Sequence, residues 1–214
     1  WADKPADDPV FGLYKNCGLW PLEEAAILYN CAEQMGGHWL DIGAHTGWTA
    51  AHIASAGAAT VQAIDPMIRV DSFAARGIEN LRQYLGVVNL TFDRSEEYFD
   101  WRRDLKGNRL NKFSGVVIDG DHDRPWPLND AKSAANELSD TGVILLHDFI
   151  GAPVREAVTW LMDNGFHCRI YWTPHMVACC WRGDFTPPMH QPDPSLPWQR
   201  IRMEMGDFDF RGGV

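Results

Sequence analysis

Two strand-like runs near the end of this 214-residue chain, His167 to Trp172 and Met176 to Trp181, are separated only by Thr173-Pro174-His175. So short a link permits a hairpin but not a parallel crossover, which needs about a dozen residues. Everything upstream reads the opposite way. Short apolar runs at 38–42, 60–64, 90–92, 115–118 and 143–146 alternate with turn residues or helical spacing. Ala74, Ile78, Leu81 and Leu85 recur with helical period, as do Leu128, Ala131, Ala135 and Leu138. Val154, Ala157, Val158 and Leu161 give the clearest stripe. Strand, helix, strand in this cadence predicts a parallel sheet with helices on both faces. The expected fold is therefore α/β: seven strands, mostly parallel, ending in an antiparallel hairpin.

Residues 21–183 carry this pattern and form the expected domain, long enough to bury a full core. Pro21 to Met35 reads as a helix with Ala25, Leu28, Ala32 and Met35 on one face. Residues 1–20 mix Pro, Asp and aromatics and read as an extension, a lid over a ligand. The chain opens on Trp1 rather than Met, so a segment upstream is expected. Residues 184–214 carry Pro187, Pro188, Pro192, Pro194 and Pro197, which preclude a regular helix before Trp198. This tail is expected to wrap the surface or reach a second copy of the chain, making a homo-oligomer one expected partner.

The richest local signal is Asp41-Ile42-Gly43-Ala44-His45-Thr46-Gly47, between the first strand and a small-residue helix from Trp48 to Ala56. Gly43 lets the backbone turn sharply and come close to a ligand. The N–H groups and positive dipole end of the following helix favour a carboxylate or phosphate. Asp65 ends the next apolar run, where an acidic side chain can grip ribose hydroxyls. A dinucleotide fold wants G-x-G-x-x-G; only Gly43 and Gly47 stand here, behind a carboxylate. Asp41 would repel a pyrophosphate and suit a cationic amino-acid group.

Composition narrows the partners. A formal charge of -10 without a basic run argues against nucleic acid. No apolar run approaches membrane-spanning length, and no charged-then-apolar leader is present. Cys17, Cys31, Cys168, Cys179 and Cys180 are odd in number and lack metal-site spacing; Cys179 and Cys180 would point to opposite sides of a strand. They read as reduced thiols of a cytoplasmic protein.

Sheets of this kind bind ligands beyond the carboxyl ends of their strands. The third strand is followed by Asp93-Arg94-Ser95-Glu96, with Ser95 readable either as a ligand contact or as a helix cap. The fourth ends in Asp119-Gly120-Asp121-His122-Asp123 and the fifth in His147-Asp148. Neighbouring strands would bring these two clusters together. Carboxylates with an imidazole suit a divalent ion, and His122 or His147 could instead remove a proton from an acceptor. Trp126 and Trp172 are candidates to border a pocket. His38, His52, His167, His175 and His190 read as structural.

Asp41, Gly43 and Gly47 resemble the first motif of the class I S-adenosylmethionine-dependent methyltransferases, an acidic residue before Gly-x-Gly-x-Gly, with His45 where the middle glycine often sits. Val116-Val117-Ile118-Asp119-Gly120-Asp121-His122, followed by His147-Asp148-Phe149, resembles bacterial small-molecule methyltransferases with an IDGDH strand end and a later HD. More remotely it is similar to catechol and macrolide-sugar O-methyltransferases, many of which hold Mg²⁺ there. The resemblance covers about residues 20 to 183. It implies a Rossmann-like methyltransferase sheet, S-adenosylmethionine as cofactor and a small-molecule acceptor, methylated at oxygen. It places the methionine end at Asp41, Gly43, His45, Thr46 and Gly47, the ribose at Asp65, and the adenine at Ser95 and Glu96, with Asp119 also at the cofactor. Asp119, His147 and Asp148 match the metal positions, although His147 departs from the usual carboxylate. His122 falls where catechol enzymes place a basic lysine, so His122, His147 and Asp119 are the catalytic candidates. A nucleotide-linked oxidoreductase and a non-catalytic binding protein on the same sheet are the alternatives.

Overall fold

The computed structural model describes residues 20–69, 79–105 and 110–190, together with Gly77. Its strands are β1 (His38–Ile42), β2 (Thr60–Ile64), β3 (Val88–Thr91), β4 (Phe113–Ile118), β5 (Leu138–Leu146), β6 (His167–Tyr171) and β7 (Val177–Arg182). The helices are α1 (Leu22–Met35), α2 (Trp48–Ser55), α3 (Ser95–Asp104), α4 (Trp126–Glu137) and α5 (Ala152–Asp163), with 3₁₀ turns at Pro66–Arg69 and Arg82–Tyr84. The strands form one sheet in the order β3-β2-β1-β4-β5-β7-β6. It is parallel from β3 to β5, and β7 runs antiparallel to both β5 and β6. The expected mostly parallel sheet with a terminal hairpin is what forms.

Strand alternation decides which helix covers which side chain. Trp39, Val61, Ala63, Val117, Val143, Leu145 and Cys179 face α1 and α2. Leu40, Ile42, Ile64, Val116, Ile118, Ile144, Leu146 and Cys180 face α3, α4 and α5. Both faces are therefore dry, and each fully buried Leu or Ile contributes about 1.5–3 kcal/mol relative to exposure. Cys179 and Cys180 point to opposite cores, as their adjacency requires.

Some boundaries differ from the sequence reading. β5 begins at Leu138, which was expected to close the preceding helix; instead its backbone is already extended (φ -77, ψ 147). The apolar run 143–146 marks only the part of β5 buried on both faces; Ser139, Asp140 and Thr141 ahead of it are partly or fully exposed. β3 and β4 each start two residues earlier than expected. Leu81 is fully buried, but Leu85 lies 62% exposed in a turn, so the expected stripe stops before it; Ala74 and Ile78 lie outside the described residues. So do the expected lid, apart from Trp20, and the tail beyond 190. The first part of that tail runs along β6, where Arg169 donates to the Pro187 carbonyl (2.8 Å) and Tyr171 to that of Pro188 (2.7 Å). No helix among the described residues is long and apolar enough to cross a membrane.

Candidate active site

β1 and β4 are neighbours, yet the helices that follow them, α2 and α4, cover opposite faces. The chain parts at their carboxyl ends and leaves a crevice, the place where open sheets take ligands. A cavity of about 330 Å³ opens there. Its walls are Gly43 to Thr46 after β1, Asp65 to Met67 after β2, Asp93 to Glu96 after β3, and Asp119 to Asp121 after β4, with Trp20, Trp48, Trp126 and Asp130.

The glycine turn is held by backbone. The Gly43 N–H donates to the Ile64 carbonyl (3.0 Å). Gly43 has φ +87, and a Cβ there would lie 2.1 Å from the Asp119 carbonyl oxygen. Only glycine lets β1 and β4 exit this close together. His45 is left-handed, with φ +46, which explains why a glycine suits that place and why a histidine can occupy it. The His45 N–H donates to Asp65 Oδ2 (2.7 Å), and the Met67 N–H to Asp65 Oδ1 (2.6 Å). Asp65 is thereby fixed at the cavity wall.

Asp41, expected at the methionine end, sits beneath the turn and not in the wall. Alternation turns it to the same side as Trp39, under α2, where Thr49 donates to its Oδ2 (2.5 Å). Burial, opposed by the Thr49 hydrogen bond, pushes its carboxyl up to about 7. Ser95 is the first residue of α3 rather than its cap; the cap is Arg94, whose N–H donates to Glu97 Oε2 (3.0 Å). Ser95 and Glu96 both line the cavity. Ser95 hydrogen-bonds the buried Asp130, whose carboxyl rises to about 6, chiefly through burial. Trp126 borders the cavity, whereas Trp172 packs against the core under α5.

Asp119 and His147 are the first residues past the paired ends Ile118 and Leu146, and alternation points both toward α1. His147 is 1% exposed. Its Nδ1 lies 3.0 Å from Asp119 Oδ1 and 3.3 Å from Asp148 Oδ2; its Nε2 lies 2.8 Å from Glu24 Oε2. Trp20 stacks on the ring, centroids 4.5 Å apart at 15°, and donates its Nε1–H to Asp119 Oδ2 (2.6 Å). Burial would lower the His147 pKa, but hydrogen bonds to Asp119, Asp148 and Glu24 outweigh it and raise it to about 11. Burial would raise Asp119, but hydrogen bonds from His122, His147 and Trp20 hold it at about 2. His122, half-exposed, bridges Asp119 Oδ1 (3.2 Å) and Asp148 Oδ2 (3.4 Å).

As a metal centre this cluster fits poorly. One ligand atom each of Asp119, His122 and Asp148 lies within 4.8 Å of the others, as do those of Glu24, His147 and His175. Mg²⁺ wants carboxylate, carbonyl and water oxygens. Here both Asp119 oxygens and Asp148 Oδ2 already face His147, His122 or Trp20. The metal set expected from the sequence included His147, whose two nitrogens are both turned to carboxylates.

The sequence reading missed Trp20, Glu24 and Asp130 and took His175 as structural. His175 stands beside Glu24, donating its backbone N–H to Glu24 Oε1 (2.8 Å), with its Nδ1 3.3 Å from His147 Nε2. Glu23 and Glu24 look like any acidic first turn of a helix; nothing in their spacing says that one is buried. Of the other histidines, His52 bonds the Trp48 carbonyl (2.8 Å), His38 meets Thr60 (2.7 Å), and His190 pairs with Glu23.

A family model described as "Methyltransferase domain" matches residues 40–149, a little over half of the chain. The chain belongs to this methyltransferase family. Its sheet is that of the class I S-adenosylmethionine-dependent enzymes. The fold is similar to an O-methyltransferase from Bacillus cereus in complex with SAH, at 10% identity and TM-score 0.64, covering 77% of this chain and 83% of that one. It is also similar to the O-methyltransferase TomG from Streptomyces achromogenes, involved in tomaymycin synthesis and in complex with SAM (15% identity, TM-score 0.63, 77% and 82% covered). A third is cofactor-bound Rv0187 from MTB (13% identity, TM-score 0.66, 84% and 92% covered). At these identities the likeness is one of fold. No curated protein matches the chain.

Proposed function

We propose that this methyltransferase moves the methyl group of S-adenosylmethionine to a hydroxyl of a small molecule. One observation carries the reading: a single cavity gathers the glycine turn, Asp65, Ser95, Glu96 and Asp119 from the ends of four parallel strands. In this arrangement the turn and the start of α2 take the methionine end, Asp65 accepts from the ribose hydroxyls, and Ser95 and Glu96 border the adenine. The sulfonium is already a strong electrophile, so the protein's task is alignment and proton removal; alignment alone supplies up to about 7–11 kcal/mol in favourable cases. The acceptor oxygen attacks the methyl carbon, the carbon–sulfur bond breaks, and S-adenosylhomocysteine leaves. The hydroxyl proton passes to His122.

His122 suits that role better than His147. Both rings have each nitrogen turned to a carboxylate, but His147 is sealed behind Trp20, whereas the His122 ring is 42% exposed. The hydrogen bond to Asp119 raises the His122 pKa above 6.5, against burial, with help from the Asp119 and Asp148 charges. The base works only after losing its proton, so turnover is expected to climb with pH through a midpoint above 6.5. Replacing it, His122→Gln, is expected to flatten that limb and lower kcat by about 10²–10⁴. A pH–rate series on both proteins checks this.

Asp65→Ala is expected to weaken S-adenosylhomocysteine binding by at least about tenfold, since bonds to a charged acceptor are worth about 1.5–3 kcal/mol each. Calorimetry reads it directly. The reading as a whole is tested with methyl-labelled S-adenosylmethionine and a panel of hydroxylated small molecules. Label in product supports it; absence of any heat on titration with either cofactor form overturns it.

A further inference from the structure

The strand ends that resemble a magnesium site carry a different charge arrangement. A neutral imidazole has one N–H and one lone pair. In His147 both nitrogens face carboxylates, Glu24 at 2.8 Å on one side and Asp119 and Asp148 at 3.0 and 3.3 Å on the other. A lone pair on either side would meet a carboxylate oxygen with no proton between them. With these carboxylates ionised, only the doubly protonated ring satisfies both contacts. Glu24 is fully buried, and an unpaired carboxylate there would be costly. The flat stacking of Trp20 on the ring is the arrangement that suits a cation.

Three of the four carboxylate oxygens of Asp119 and Asp148 already face a donor. Asp119 Oδ1 accepts from His147 and His122, and Asp119 Oδ2 from Trp20. Asp148 Oδ2 faces His147 and His122. A divalent ion between Asp119 and Asp148 would have to displace the Nδ1 proton of a buried ring and would then gain a nitrogen ligand where Mg²⁺ takes oxygen.

We infer that the His147 imidazolium, held among Glu24, Asp119 and Asp148, fills the place of a divalent cation at these strand ends, so that methyl transfer here proceeds without a metal. The positive charge is supplied by the chain, from β5, and is locked by α1. It keeps Asp119 ionised and aimed, as a dication would, but offers no exchangeable position to an acceptor oxygen. The inference concerns the site of the methyl-transfer reading, but its readouts do not need turnover, so either can fail alone.

The test is metal content by plasma mass spectrometry of wild-type protein purified without chelator, with calorimetric titration of Mg²⁺ and Mn²⁺. Substoichiometric metal and no saturable heat are expected. One divalent ion per chain, lost in Asp119→Asn, overturns the inference. His147→Glu exchanges the cation for a carboxylate and is expected to bind Mn²⁺, seen by electron paramagnetic resonance. If that variant folds and takes up no more Mn²⁺ than wild type, the inference also fails. Nitrogen NMR of wild type needs no variant: two protonated nitrogens on His147 at neutral pH are expected, and one overturns it.

Discussion

Replacing Gly43 by alanine is expected to destabilise the fold by about 2–5 kcal/mol, combining left-handed backbone strain with overpacking. For a chain of this length that is a fall of about 5–15 °C in Tm. The added methyl group meets backbone, the Asp119 carbonyl at 2.1 Å and the Gly120 nitrogen at 2.7 Å, so no side-chain rotation relieves it. β4 must move away from β1. Asp119 moves with it and loosens its bonds to Trp20 and His147, so S-adenosylhomocysteine binding is expected to weaken by more than tenfold. Gly86→Ala is the control, because a Cβ there meets nothing within 4 Å; its melting temperature is expected to match wild type. Thermal denaturation and calorimetry on the two variants decide the matter. A Gly43→Ala protein that melts and binds like wild type removes the turn from the argument.

His147→Leu is expected to cost about 3–5 kcal/mol at neutral pH, the usual cost of breaking a buried ion pair and stranding its partners. The pH dependence is more diagnostic. The folded His147 has its pKa raised from 6.5 to about 11. Its contribution is fully present below pH 6.5 and is lost progressively as pH rises through 11. Asp119 is shifted the other way, from 3.8 to about 2; its contribution is present above 3.8 and lost as pH falls through 2. The stability gap between wild type and variant is therefore expected to be widest between about pH 4 and 6.5 and to narrow steadily toward pH 11. Urea titrations across that range measure it. A gap that widens above pH 7 contradicts a charged ring.

The parallel cadence, the hairpin and the glycine turn were legible because each is a local pattern. Three residues between two strand-like runs leave one geometry, and Gly43 and Gly47 punctuate a strand and a helix wherever they occur in that order. The pairing of Asp119 with His147 was also within reach, since both follow buried runs on neighbouring strands. What escaped was long-range. Glu24 is 123 residues from His147, and Trp20 is 99 from Asp119. Asp41 looked like a cavity residue because it precedes the turn; counting the alternation from Trp39 would have placed it under α2. The same count turns Leu145 and His147 toward α1, and only packing shows that an acid waits there.

The sheet order also bears on how the chain is made. β7 lies between β5 and β6, so the last of the described strands to leave the ribosome must slot between two that already exist. Until Val177–Arg182 emerges, β6 has no neighbour and β5 presents Val143-Ile144-Leu145-Leu146 along a bare rim. A bare apolar rim is a template for unwanted pairing between molecules. A stop codon just short of Val177 would release a chain that keeps this adhesive rim.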